Sequence, residues 1–234
     1  MSGSPVTEFV SEQALRMASS EGYSSNIDEF LAYSLELVPV FLEIGALVRE
    51  QQQTSVLADI TLASTCRDQP FKILHHLQNM LQSVQAHSTS KPSDIATVTE
   101  QDEYMRVNET YHLAAMLQIY QRVLRLPSSS DEIQEIVHRI LTILPEITLR
   151  NSPCPGTVLL FPLFCAGCGA EEKDDRLKVR SILSKMSELY RLDAVKSCMR
   201  ILDDVWSGGS LHKVSSSNLG WEKLVEGTTD IILY

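Results

Sequence analysis

Two cysteines three positions apart, Cys165 and Cys168, are the first residues whose type and spacing point to chemistry. A C-x-x-C pair supplies half of a structural zinc site or a thiol redox couple. Zinc ordinarily takes four ligands, and the other cysteines, Cys66, Cys154 and Cys198, show no second paired spacing. A redox couple calls for a strand–helix–strand setting, and strand signals are nearly absent from this sequence. The pair therefore reads as buried thiols, since free cysteine packs like a small hydrophobe. The total of five cysteines, an odd count without a disulfide rhythm, fits a reducing compartment.

Acidic pairs occur at Asp174-Asp175 and Asp203-Asp204, and clustered carboxylates of this kind hold Mg²⁺ against diphosphate in all-α isoprenoid synthases. The residue three beyond Asp204 is Ser207, so a D-D-x-x-D pattern fails. Glu171, Glu172, Asp174 and Asp175 instead sit where a helix start favours negative charge. His75, His76 and His112 invite a general-base reading, yet no nucleophile or carboxylate partner matches them by spacing. There is no G-x-S-x-G, and Gly208-Gly209 lacks the Lys-Ser/Thr of a phosphate loop. No catalytic residue, metal ligand or cofactor is predicted.

Thirty acidic against twenty basic residues give a formal charge of -10, which repels a phosphate backbone, so direct nucleic-acid binding is not expected. Membrane spanning is not expected either, because Glu36, Glu43 and Pro162 interrupt the most apolar runs. The N-terminal MSGSPVTEF has neither a basic nor an apolar region of a secretory signal. The 44% hydrophobic fraction is ample for a sizeable core in 234 residues.

Helical periodicity dominates the chain. Residues 1–26 read as a leading helix, with Val6, Phe9, Val10, Ala14 and Met17 in phase, followed by a linker. Residues 27–50 carry an apolar surface too wide for one-sided packing, predicting a buried helix bent or interrupted at Pro39. Further helices are expected at 56–63 and 71–84. Residues 86–102, rich in Ser and Thr, read as one long solvated loop. Residues 103–126 bear two apolar stripes, placing that helix mid-bundle, and Pro127 ends it. A Ser129/Glu132 capping box then starts a one-faced helix ending at Pro145. The apolar stretch 159–170, LLFPLFCAGCGA, follows, with Pro162 either bending the helix or sitting harmlessly in its first turn. Gly167 and Ala166 would let a neighbouring helix approach closely. Two more helices follow, one from the acidic start at 171–175 through Tyr190 and one over 193–206, and Trp221 opens the closing segment. The fold class is all-α: a single irregular helical bundle over residues 27–234.

Several stretches, taken in order, resemble the C-terminal regulatory region of fungal zinc-cluster transcription factors. Phe161, Pro162, Leu163, Phe164, Ala166, Gly167, Cys168 and Ala170 match a PLF-x-AG-C-x-A signature. The segment from His112 to Pro127 is similar to the family's H-x-AA-x-x-x-x-Y-x-RV-x-x-LP helix, and 180–206 to its helix pair ending in Val-Trp at Trp206. Trp221 looks like the tryptophan that usually follows. Gly169 departs from the acidic residue common at that position, and the six-cysteine DNA-binding cluster is not in this chain.

The resemblance implies a non-enzymatic, nuclear regulatory domain, responsive to an apolar small-molecule effector or to a partner such as a second copy or another transcription regulator. A stand-alone pathway regulator keeping only this domain is the alternative. An isoprenoid-synthase-like enzyme is a further one, weakened by the incomplete aspartate motif.

Overall fold

A computed structural model describes residues 27–28, 30–54, 68–88, 100–151 and 154–207. Among these, seven α-helices and no strand are present: α1 (Leu37–Thr54), α2 (Gln69–Ser88), α3 (Glu100–Gln118), α4 (Asp131–Ile143), α5 (Leu160–Gly169), α6 (Lys173–Tyr190) and α7 (Asp193–Trp206). Buried apolar residues from all seven join in one continuous core. The expected leading helix, the 56–63 pattern and the closing segment lie outside the described residues.

The chain enters through a turn rather than a helix. The Asp28 carboxylate accepts the amides of Phe30 and Leu31, Ala32 takes a left-handed conformation, and Ile27 bridges to Ser34. This corrects the helix expected from residue 27. Pro39 is the third residue of α1, in the first turn, where its missing N–H costs nothing, so it neither bends nor interrupts the helix. The helix is also not buried all round: Leu37, Val40, Ile44, Leu47 and Val48 face the core, while Leu42 and Glu43 face solvent.

Helix α2 buries Ile73, Leu74, Leu77 and Leu81, and its first residue Gln69 donates to the Glu43 carboxylate of α1 at 2.5 Å. The two ends of the Ser/Thr-rich loop expected at 86–102 are helical instead, because α2 runs through Ser88 and α3 begins at Glu100. Residues 89–99 lie outside the described set.

Every residue from Thr110 to Ile119 is buried, so α3 is the central helix that its two stripes predict. It does not continue regularly to Pro127. Ile119–Val123 forms a π turn, with the Leu124 amide reaching back to the Ile119 carbonyl at 2.8 Å. Alternating charges on one side of α3 meet complementary partners: Glu103 pairs with Arg150, Arg106 with Glu146, and Glu109 with Arg139.

Helix α4 is capped by Ser130, not by the Ser129/Glu132 box. The Ser130 carbonyl receives the Ile133 and Gln134 amides, no side-chain cap bond forms, and Ser129 and Glu132 are exposed. Asp131 and Glu132 still set negative charge on the first turn. Helices α6 and α7 form a hairpin through Arg191, held left-handed at φ 53° with its amide on the Ser187 carbonyl.

Candidate functional site

Helix α5 sits at the centre of this arrangement, and every residue from Phe161 to Ala170 is buried. Pro162 is its third residue, so the first-turn alternative holds and no helical hydrogen bond is lost. A ten-residue helix buried on all sides leaves its terminal carbonyls without water, and each must find a donor in the protein.

Side chains from four different elements donate to carbonyls of this segment, three of them at its C-terminal end. Gln121 Nε2 in the π turn reaches the Cys165 carbonyl at 3.5 Å, and Trp206 Nε1 at the end of α7 reaches that of Gly167 at 2.9 Å. Gln134 Nε2 on α4 bonds the Gly169 carbonyl at 2.8 Å, and Arg176 Nε on α6 bonds that of Ala170 at 2.8 Å. Gln134 also donates to the Ser128 carbonyl, tying the connection before α4 to the same point.

Two glycines let these elements close in. A Cβ at Gly167 would lie 2.7 Å from Leu202 Cδ1 and 3.3 Å from Val179 Cγ1. At Gly169 a Cβ would meet Gln121 Nε2 at 2.8 Å and the Cγ2 atoms of Ile133 and Val137 at 2.9 Å. The close approach expected at Gly167 is therefore present, and Gly169 serves a second helix in the same way.

The N-terminal half of α5 meets an aromatic cluster. Tyr111 stacks on Tyr33 at 4.2 Å and on Phe161 at 5.8 Å between centroids, and Phe41 meets all three rings edge-on. The Tyr111 hydroxyl donates to the Val158 carbonyl at 2.7 Å. Burial raises its pKa, so it remains a neutral donor.

Cys165 and Cys168 share this core with Cys198 of α7. All three are free thiols, and burial is the main reason their pKa values rise, with Cys198 pushed up to about 12. Such thiols are held away from the thiolate form that metal binding and nucleophilic attack require. Among the described residues no three His, Cys, Asp or Glu side chains are grouped to hold a metal ion.

The remaining sequence candidates are scattered. His112 is buried on α3, with Nδ1 2.8 Å from the Asn108 carbonyl, and burial lowers its pKa. His75 and His76 are exposed on α2. Asp175 is buried against Lys178, Asp203 is exposed and pairs with Arg180, and Asp174 and Asp204 are exposed. Pro127 is exposed in the connection after α3, and Trp221 lies outside the described residues.

The model of a family described as the fungal specific transcription factor domain matches residues 4–234. The chain belongs to this family. Neither the curated proteins nor the solved structures compared with it contain a match. Membership assigns this fungal transcription factor domain a regulatory role in a transcription regulator, in a family that is regulatory rather than enzymatic. None of its described helices is long and apolar enough to cross a membrane.

Within the domain, the residues that carry the resemblance divide in two. Phe161 to Ala170 and Trp206 meet at α5, Trp206 through its bond to Gly167. His112 lies elsewhere on α3, within electrostatic reach of Glu36, Glu109 and His76. Gln121, Gln134 and Arg176, which cap α5, were not among the sequence candidates. Gln121 had a signal: it stands four residues after Leu117 and seven after Ala114, on the core face of α3.

Proposed function

We propose that this domain is the responsive part of its transcription regulator. An apolar effector or a protein partner biases the helical bundle between two packings and so changes dimerisation or access to coactivators. The observation that supports this most is the capping of α5 by donors from four elements, since a displacement of any one of them removes a hydrogen bond at the same buried helix. Contact with DNA then belongs to another module or to a partner, in keeping with the net charge of -10, and the domain works in the nucleus.

A second copy of the chain is the partner we infer for the face formed by the entry turn and α1. There Phe30 is 91% exposed on a turn fixed by Asp28, and Leu42, twelve residues further on in α1, is exposed as well. Native mass spectrometry and light scattering of protein purified from a fungal host test both parts. A co-purifying metabolite that raises the melting temperature supports an effector. A dimer lost on Phe30→Ser supports self-association. A ligand-free monomer whose melting ignores candidate metabolites overturns the reading.

A further inference from the structure

The end of α3 combines a π turn, a left-handed residue and a buried acceptor with no partner among the described residues, although left-handed residues also occur at Ala32 and Arg191. Ile119–Val123 is a π turn, which winds one residue more into the helix than an α turn does. Two residues beyond it, Arg125 takes φ 52°, a left-handed conformation that a residue with a Cβ adopts at a cost. From α1, Gln51 Nε2 donates to the Val123 carbonyl at 2.5 Å, while its own Oε1 is buried without a hydrogen-bond partner among the described residues. Strain and an unsatisfied acceptor persist only where surrounding contacts hold them, and π turns are frequent at functional sites.

The turn is held from two sides. Gln51 of α1 grips the carbonyl at its end, and Gln121 within it reaches the Cys165 carbonyl of α5. The Leu124 and Leu126 amides, bonded to the Ile119 and Tyr120 carbonyls, close it in this wide register. Rewinding 119–123 as an α-helix passes one residue into the connection before α4. It sets the positions beyond the turn back by one, about 100° around the axis. Val123 then leaves Gln51, Gln121 leaves Cys165, and Arg125 is released from its left-handed conformation.

We propose that the π turn is a register switch in α3, through which the position of α1 is communicated to α5. A load on α1 that withdraws Gln51 frees the turn to rewind, and the cap on α5 goes with it. This supplies the two-state element that the responsive-domain reading requires, and it rests on that reading only for its biological consequence.

Residue-resolved hydrogen exchange on the full chain tests it. In the native protein the Leu124 and Leu126 amides exchange by a local opening, ahead of the core amides of Val137 and Leu183. Gln51→Leu, which removes the grip, speeds Leu124 and Leu126 by about tenfold relative to those core amides. Deletion of Arg122, which takes out the extra residue, abolishes the local opening and slows both amides to the core rate. The switch is overturned if Leu124 and Leu126 exchange at the core rate in the native chain and move only in step with it in Gln51→Leu. That comparison decides alone if the deletion fails to fold. No effector or partner is added, so a negative result in the effector experiment leaves this outcome readable.

Discussion

Trp206 and Gly167 are joined twice over: the indole Nε1 donates to the Gly167 carbonyl at 2.9 Å, and α7 lies so close that a Cβ on Gly167 would stand 2.7 Å from Leu202. The bond depends on the approach, and the approach depends on the missing side chain. The ring is also held from above by the Arg180 guanidinium, 5.7 Å from its centroid, and Arg180 in turn pairs with Asp203 on α7. The end of α7 is thus fastened to α5 and α6 together.

The two glycines of α5 differ in what they touch, and their substitutions should differ accordingly. Leu202 can change rotamer to admit a methyl at Gly167, so Gly167→Ala is expected to cost about 1 kcal/mol after the gain in helix propensity. At Gly169 the obstacles are Cγ2 atoms of β-branched Ile133 and Val137, which are stiff at χ1 and cannot retreat without moving α4. Gly169→Ala is expected to cost about 3 kcal/mol. Gly169→Asp, which restores an acidic residue at this position, adds an unpaired buried charge and is expected to cost more still. Urea denaturation ranks the three, and an equal cost for the two alanine variants would contradict the packing.

Among the ion pairs along α3, only one has a buried carboxylate. Glu103 is 3% exposed and accepts from both the Thr148 amide and Arg150. Glu103→Ala strands that amide and is expected to cost about 2 kcal/mol. Lys196→Ala breaks a pair of exposed side chains on α7 and is expected to fall within about 0.5 kcal/mol of native. Chemical denaturation of the two variants checks the contrast, which a similar loss in both would refute.

What the sequence made legible followed from periodicity. The two stripes of α3 and the single face of α4 required only that apolar positions recur at helical spacing, and both are as expected. Pro39 and Pro162 were ambiguous because a proline reads the same in a first turn as at a kink; the difference lies in where the helix begins. The π turn was invisible for a related reason. It shifts the helical phase by one residue inside a segment apolar on two faces, where a one-residue slip does not break the apolar pattern. Spacing could place Gln121 on a core face, but its joining with Gln134, Arg176 and Trp206 around α5 could not be found that way, since the four lie on elements that only the packing brings together.

His112 makes stability depend on pH. Burial lowers its folded pKa below the ordinary 6.5, so at mildly acidic pH the unfolded chain takes up a proton that the folded chain does not. Its contribution is complete above about pH 6.5 and declines as pH falls below that value. The denaturation midpoint should therefore drop between pH 7 and 5.5. His112→Gln, which cannot titrate, should flatten that slope, and an unchanged slope in the variant would assign the effect to other groups.

Cys165, Cys168 and Cys198 should resist alkylation for as long as the bundle is closed. Their burial removes access, and their raised pKa values keep thiolate scarce at neutral pH, so iodoacetamide must wait for an opening that exposes α5 and α7. At pH 8 the native chain should label at these three sites far more slowly than the same chain in urea, as peptide mass spectrometry would show. Trp206→Phe keeps the ring but loses the bond to Gly167, which is expected to weaken the attachment of α7 by about 1 kcal/mol. Labelling of Cys198 should then accelerate roughly fivefold while the global denaturation midpoint moves little. Equal acceleration at Cys154, which lies outside the α5–α7 contact against the Tyr190 hydroxyl, would show a general loosening instead of a detached α7.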